Sequence, residues 1–140
     1  MTDRPFLDTN ILVYAFDQSE PRKQRRAWEI LEGQIFSDAP IISTQVIQEF
    51  YVTVIRKLAV PLSAEAAYEA CLRLTRFPVV QITPDLILSA IRSQIQYQVS
   101  FWDALIIEAA KSAGCTVLVT EDLQDGFIVD GLKVQNPFIH

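Results

Sequence analysis

Four carboxylates lie in segments whose neighbours are otherwise apolar: Asp8 after Phe6-Leu7, Glu49 in VIQEFYV, Asp103 in SFWDALII, and Asp122 just after the run 117–119. Carboxylates that converge repel one another, and burial disfavours their charged forms, so such a cluster needs protons or a cation. Mg²⁺ suits this role because it prefers oxygen ligands and leaves positions for water and phosphate oxygens. The acids therefore indicate a Mg²⁺ site, with Mn²⁺ as a substitute.

Polar side chains flank two of these acids, namely Thr9, Asn10, Thr120 and Glu121. The only histidine is His140, which argues against a Ser-His-Asp relay or an HExxH zinc site. The sequence contains neither a Walker loop nor GxGxxG, which excludes the common nucleotide-binding motifs. The chemistry that fits the remaining groups is metal-assisted hydrolysis of a phosphodiester.

Each acid also has an ordinary structural explanation. The alternatives are a helix or turn cap for the first and fourth acids, a capping box of Ser100 with Asp103, and an ion pair of Glu49 with Arg56 or its exposure to solvent. These explanations do not account for a carboxylate in each of four segments that meet at one edge of a sheet.

Short apolar runs alternate with helical patterns along the chain. The runs predict strands at Phe6-Leu7, 40–43, 79–82 and 116–119, with a weak fifth at 132–134. Helices are predicted over 10–16, from Pro21 with Ser19 as N-cap, over 44–58, after Ser63, after Thr83, and from Ser100 to Gly114. This alternation indicates a three-layer α/β/α domain with a short-stranded parallel sheet. Functional groups in such sheets gather at the carboxyl ends of the strands.

The composition sets further bounds. The 140 residues, half of them apolar, predict a single domain over 1–140. A net charge of −5 argues against a surface that grips phosphate backbone, so a polyanionic substrate needs local neutralisation. Without a membrane-length apolar run or signal-peptide blocks, a cytoplasmic protein with no membrane partner is expected. Cys71 and Cys115 are expected to be inert core thiols. Trp28 and Trp102 are expected to lie in the core, with a stacking platform for bases as the alternative.

Four blocks of the sequence resemble, in order, the motifs of PIN-domain nucleases, most closely the VapC-type ribonuclease toxins of bacterial toxin–antitoxin pairs. The blocks are FLDTNILVYAFD, QVIQEFYVTVIRK, VSFWDALIIEAAKSAGC, and VLVTEDLQDG with VDGLKVQNPF. The resemblance spans almost the whole chain. It implies a PIN-like domain that cleaves RNA with a metal-activated water, a small antitoxin protein that covers the site, and a homodimer.

The same resemblance implies roles for individual residues. The acidic cluster would consist of Asp8, Glu49, Asp103 and Asp122, with Asp8 and Asp103 as direct Mg²⁺ ligands. Polar support would come from Thr9, Asn10, Thr120 and Glu121. Glu121 and Asp125 also lie close enough in sequence to substitute for Asp122.

A basic helix face offers a further candidate contact. Arg22, Arg25 and Arg26 lie on one face after Pro21 and could guide RNA or receive an acidic antitoxin segment. The alternative is a solvated face paired with Glu29 and Glu32.

Two other functions are compatible with parts of the sequence. One is a non-catalytic PIN-fold module that binds only protein. The other uses Asp8 as a covalent nucleophile, but Asn10 stands where the D-x-D-x-T pattern of such phosphatases has its second acid.

Overall fold

Helices and strands alternate along the chain in the computed structural model, which describes residues 3–139. The helices are α1 (Thr9–Tyr14), α2 (Pro21–Leu31), α3 (Thr44–Arg56), α4 (Ala64–Leu74), α5 (Pro84–Tyr97) and α6 (Phe101–Ser112). The strands are β1 (Pro5–Leu7), β2 (Ile42–Ser43), β3 (Val79–Val80), β4 (Val117–Val119), β5 (Ile128–Val129) and β6 (Leu132–Gln135). His140 lies outside the described residues.

The strands form a mostly parallel sheet. Its four-stranded part has the order β1-β4-β6-β5, and β2 pairs in parallel with β3. The two parts meet where Phe6 bridges Ile41, and the Leu7 amide donates to the Ile41 carbonyl at 3.0 Å. Only the β5–β6 pair among the described strands is antiparallel. The predicted α/β fold with a short-stranded parallel sheet is therefore confirmed.

The antiparallel hairpin was not predicted from the sequence. Strands β5 and β6 are joined by Asp130 and Gly131, whose φ angles are 49° and 84°. Positive φ at both turn residues is the type I′ geometry that favours Asp-Gly in two-residue hairpins. The Asp-Gly pair was the available signal, but Ile128 is exposed and β5 has two residues, too few for an alternating pattern.

The predicted Ser19 cap is wrong. Glu20 occupies the N-cap position of α2, without a side-chain capping bond, and the Ser19 hydroxyl donates to Asp17 Oδ1 instead. Pro21 at the first helical position has no backbone N–H, so this helix start has one donor fewer to satisfy.

The core packs the helices against the sheet. Phe6, Leu118 and Ile107 are fully buried, and burial of each such side chain contributes roughly 1.5–3 kcal/mol. Burial also raises the pKa of the Cys115 thiol to about 11, which fits an inert thiol. Cys71 is half-buried, and burial raises its thiol pKa as well.

The tryptophans are not core residues, contrary to the expectation from sequence. Trp102 is 60% exposed and Trp28 is 38% exposed. The Trp28 indole donates to the Ala15 carbonyl at 2.8 Å, so its polar edge is satisfied while much of the ring faces outward. Apolar periodicity alone does not separate a buried position from one at the rim of a groove.

No helix within residues 3–139 combines the length and the apolar character that crossing a membrane requires.

Candidate active site

The register of β1 and β4 brings distant parts of the chain together. Leu7 pairs with Val119 in parallel, so Asp8 and Thr120 follow side by side at the carboxyl edge of the sheet. The Asp8 amide donates to the Val119 carbonyl at 3.0 Å, which fixes the point where β1 ends. This edge is where parallel sheets place their functional groups.

Asp8 is a buried carboxylate whose two oxygens are both hydrogen-bonded. Oδ1 accepts from the Thr9 amide at 2.7 Å, so Asp8 is also the N-cap of α1, and Oδ2 accepts from the Thr120 hydroxyl at 2.7 Å. Burial raises the Asp8 pKa to about 7, although both hydrogen bonds act in the opposite direction. The negative charges of Asp122 and Glu49 raise it further. Asp8 therefore caps α1, as the structural alternative predicted, and also lies close to other acids.

Three of the four acids converge. One carboxylate oxygen from each of Asp8, Asp103 and Asp122 lies within 4.8 Å of the other two. Asp103 lies in the first turn of α6, where its amide donates to the Ser100 hydroxyl at 3.0 Å. Burial raises the Asp103 pKa, and nearby Asp122 and Glu49 add to the rise, while Ser100 lowers it. Without a cation, the cluster carries poorly compensated negative charge.

The cluster has the chemistry of a site for a hard cation. Three carboxylates supply oxygen ligands of the kind that Mg²⁺ and Mn²⁺ prefer. Beside them, Asn10 Oδ1 and Gln45 Oε1 are buried and have no hydrogen-bond partner among residues 3–139. Buried acceptors without donors mark a place for water or an ion.

Glu49 stands beside this group rather than within it. Its Oε1 accepts from the Thr9 hydroxyl at 2.6 Å, and its Oε2 accepts from the Gln45 amide at 3.3 Å. These contacts, rather than a pair with Arg56, hold the Glu49 carboxylate. The negative charge of Glu49 still acts on the cluster, since this charge raises the pKa of both Asp8 and Asp103.

Gln45 is a site residue that the sequence argument missed. It is 4% exposed, and its Nε2 donates both to Glu49 and to the Trp102 carbonyl, the latter at 3.2 Å. Gln45 therefore links α3 to the start of α6. Its position one turn before Glu49 was the only available signal.

The Thr120 hydroxyl connects the acids through three hydrogen bonds. It donates to Asp8, and it accepts from the Asp122 amide at 3.1 Å and from Asn10 Nδ2 at 3.4 Å. Thr120 is fully buried, and its hydrogen bond to Asp8 is buried as well. One side chain thus couples the acid after β1 to the loop after β4.

The two acids that sequence offered as substitutes for Asp122 are engaged elsewhere. Glu121 accepts hydrogen bonds from the Tyr14 hydroxyl and from Lys23 Nζ, the latter at 2.9 Å. Asp125 Oδ1 accepts from the Asn136 amide at 2.8 Å. The three-acid group contains Asp122 and neither of these two.

The arginines of α2 hold the carboxyl-terminal segment. Arg22 Nη2 donates to the Phe138 carbonyl at 2.9 Å, and Arg26 Nε donates to the Pro137 carbonyl at 3.1 Å. Arg26 Nη1 also lies 3.8 Å from Glu29 Oε1, an ion pair of the kind predicted for a solvated helix face. Arg25 is exposed. Two of the three arginines therefore have a structural contact as well as any role toward RNA or an antitoxin.

An open groove adjoins the acids. It has a volume of about 720 Å³ and runs between α1 and α3, with Trp102 and Asp122 also on its walls. Polar lining comes from Asn10, Gln48 and Lys57. The arrangement can admit a polymer to a carboxylate cluster at the edge of the sheet.

Comparisons with solved structures agree with this fold. A toxin–antitoxin complex from Klebsiella pneumoniae superposes with a TM-score of 0.71 at 22% identity, covering 95% of this chain and 97% of that one. The Mycobacterium tuberculosis toxin VapC20, described as cleaving the sarcin–ricin loop, gives 0.63 at 21% identity, with coverage of 81% and 86%. VapBC2 from Rickettsia felis, bound to a promoter DNA fragment, gives 0.64 at 20% identity, with coverage of 94% and 97%. At these identities, the likeness shows a shared fold.

The comparison of sequences is more specific. No curated protein matches the chain significantly. The profile of the PIN domain family matches residues 6–127, a span that includes all four acids and Thr120. With the mostly parallel sheet and the acids at its carboxyl edge, this match shows that the chain belongs to the PIN domain family.

Proposed function

We propose that this protein is a Mg²⁺-dependent endoribonuclease and the toxin of a type II toxin–antitoxin pair, acting on RNA in the cytoplasm. The observation that carries the proposal is the group formed by Asp8, Asp103 and Asp122, which lies beside an open groove. Membership of the PIN family and a fold shared with toxin–antitoxin structures support the assignment.

The four acids divide the chemical work in this proposal. Asp8 and Asp103 would hold the cation, with Asp122 beside them. A bound Mg²⁺ or Mn²⁺ would supply Lewis-acid chemistry for phosphodiester hydrolysis. Glu49, whose two oxygens are held by Thr9 and Gln45, would position water beside the cluster. The Thr120 hydroxyl donates to Asp8 and so holds this carboxylate in its orientation.

RNA cleavage is expected to require the divalent cation. Purified protein incubated with RNA and Mg²⁺ should produce new ends at defined positions, which sequencing of the RNA ends detects. EDTA should abolish these ends, and excess Mg²⁺ or Mn²⁺ should restore them. Identical ends formed in EDTA would contradict the proposal.

The rival function, a PIN-fold module that binds only protein, makes the opposite forecast. It predicts no heat of binding when Mg²⁺ or Mn²⁺ is titrated into the protein, and no new RNA ends. Calorimetry on the parent protein therefore separates the two functions without any variant.

We also propose that a small antitoxin protein covers the groove and that the chain forms a homodimer. The antitoxin proposal is supported by the likeness to solved toxin–antitoxin complexes. A short reading frame upstream, whose co-expressed product stops RNA cleavage, would identify this partner.

The dimer is supported by an apolar stripe on α5. Ile87, Leu88, Ile91 and Ile95 recur on one face and are between 38% and 76% exposed. Contiguous exposed apolar surface of this kind marks an interface. A symmetric pairing of α5 with its copy would bury this stripe on both chains.

Replacing both Leu88 and Ile91 with glutamate is expected to yield a monomer. Buried like charges at the centre of the stripe would oppose association, while the exposed positions leave the fold of the monomer unaffected. Sedimentation or light scattering measures the mass. A parent protein that is monomeric at micromolar concentration would contradict the α5 dimer.

A further inference from the structure

Trp102 is the most exposed aromatic side chain that lines the groove. It belongs to the first turn of α6, directly before Asp103, and is 60% exposed. The proposed division of work among the acids leaves this ring without a role. What distinguishes this ring from other exposed apolar side chains is its place on the groove wall, together with Val13, Val52 and Asp122.

The ring is held in place at its base. The Trp102 carbonyl accepts from Gln45 Nε2 at 3.2 Å, so the same amide that holds Glu49 also fixes the start of α6. The Phe101 ring meets the indole edge-on, with centroids 5.1 Å apart and planes at 74°. The indole is therefore preorganised, although most of its surface is free.

The rest of the groove suits a nucleotide chain. Its walls carry the exposed amide of Gln48, which can bond a base edge, and the apolar side chains of Val13 and Val52. The wall from Gln45 in α3 to Lys57, the C-cap of this helix, spans about 18 Å at 1.5 Å per residue, long enough for more than one nucleotide. Lys57 lines the groove and can contact a phosphate through its positive charge.

We propose that Trp102 is a stacking platform for the nucleobase next to the phosphodiester that is cut. Aromatic rings bind single-stranded nucleic acid in this way because every base presents a π-face. The proposal rests on the nuclease function and adds to it a contact made by this chain's own Trp102 with an unpaired base. A base flanking the scissile bond must lie close to the acids, and Trp102 is adjacent in sequence to one of them.

Replacing Trp102 with alanine is expected to raise KM for a single-stranded RNA by about 10-fold or more, with kcat little changed. Trp102→Tyr should recover most of the affinity, since it restores an aromatic face. The hydrogen bond from Gln45 goes to the backbone carbonyl, so both substitutions leave it in place. Tyr68→Ala is the matched control, because Tyr68 is 62% exposed but lies on α4 outside the groove.

Binding is measured separately from cleavage by fluorescence. In an Asp8→Asn, Trp28→Phe background, Trp102 is the only tryptophan, and a single-stranded oligoribonucleotide should quench its emission. A fully paired RNA duplex of the same sequence should quench it much less, because its bases are already stacked.

The two readouts separate the two proposals. If the parent cuts RNA, while Trp102→Ala keeps the parental KM and the oligonucleotide fails to quench, the platform is wrong and the nuclease stands. The exposed ring then belongs to a protein contact. If the oligonucleotide quenches Trp102 but the parent cuts no RNA, the base site stands and the nuclease proposal fails.

Discussion

Replacement of Asp8 or Asp103 with asparagine is expected to abolish detectable RNA cleavage while the protein remains folded. Asparagine preserves the size of the side chain but removes the charge that the cation needs. Loss of a group that merely supports a metal ligand costs roughly 10- to 100-fold in affinity or activity, so loss of a ligand itself should exceed that range. The two variants together test whether the group found by geometry is the reactive centre.

The measurement is initial cleavage rate at saturating Mg²⁺, with circular dichroism to confirm folding. Asp3→Asn is the matched control, because Asp3 is an exposed aspartate that precedes β1, at the opposite end of the strand from Asp8. A folded Asp103→Asn variant that cuts RNA at the parental rate would contradict the acidic-cluster mechanism. Equal losses in Asp3→Asn would show that the effect is not specific.

The metal-free protein is expected to lose stability as pH rises from about 4 to about 7. Burial raises the Asp8 pKa from 3.8 to about 7, so the folded chain holds a proton that the unfolded chain has already released. This contribution to stability is complete below pH 3.8 and is lost as pH passes through about 7. At 1.36 kcal/mol per pKa unit, the loss from Asp8 is as much as about 4 kcal/mol.

Urea unfolding in EDTA at pH 5 and pH 8 measures this loss. Asp8→Asn has no proton to release at this position, so its stability should change less between the two values. Mg²⁺ should stabilise the parent more at pH 8 than at pH 5, since the cation competes with protons for the same carboxylates. A parent that is equally stable at both pH values in EDTA would show that folding does not raise the pKa of Asp8.

Local signals in the sequence predicted most of the fold. Ser63 and Thr83 accept from backbone amides three residues on, as their cap positions predicted, and Pro84 opens α5. Such signals depend on neighbours along the chain, so they are legible without tertiary structure. Strand β5 was missed because its only partner is β6 and its two residues carry no pattern of their own.

The sequence predicted which residue types form the candidate site, but not how these residues are arranged in space. The acids could be identified from the sequence because burying a carboxylate is costly unless it is paired, hydrogen-bonded or bound to a metal. Glu121 is held away from the cluster by hydrogen bonds from Tyr14 and Lys23, and Asp122 joins the cluster instead. Tyr14 and Lys23 lie 107 and 98 residues from Glu121 in sequence, so no local pattern could show these contacts. The role of Gln45 and the exposure of Trp102 likewise depend on the contact between α3 and α6, which local sequence patterns do not predict.

The pairing of β1 with β4 also bears on the order of synthesis. Asp8 is synthesised more than a hundred residues before Thr120 and Asp122. A nascent chain that stops before residue 117 has no β4 to place beside β1, and contacts of such long range form late in folding. The three-acid cluster therefore cannot assemble on a nascent chain until β4 and the loop that follows it have been synthesised.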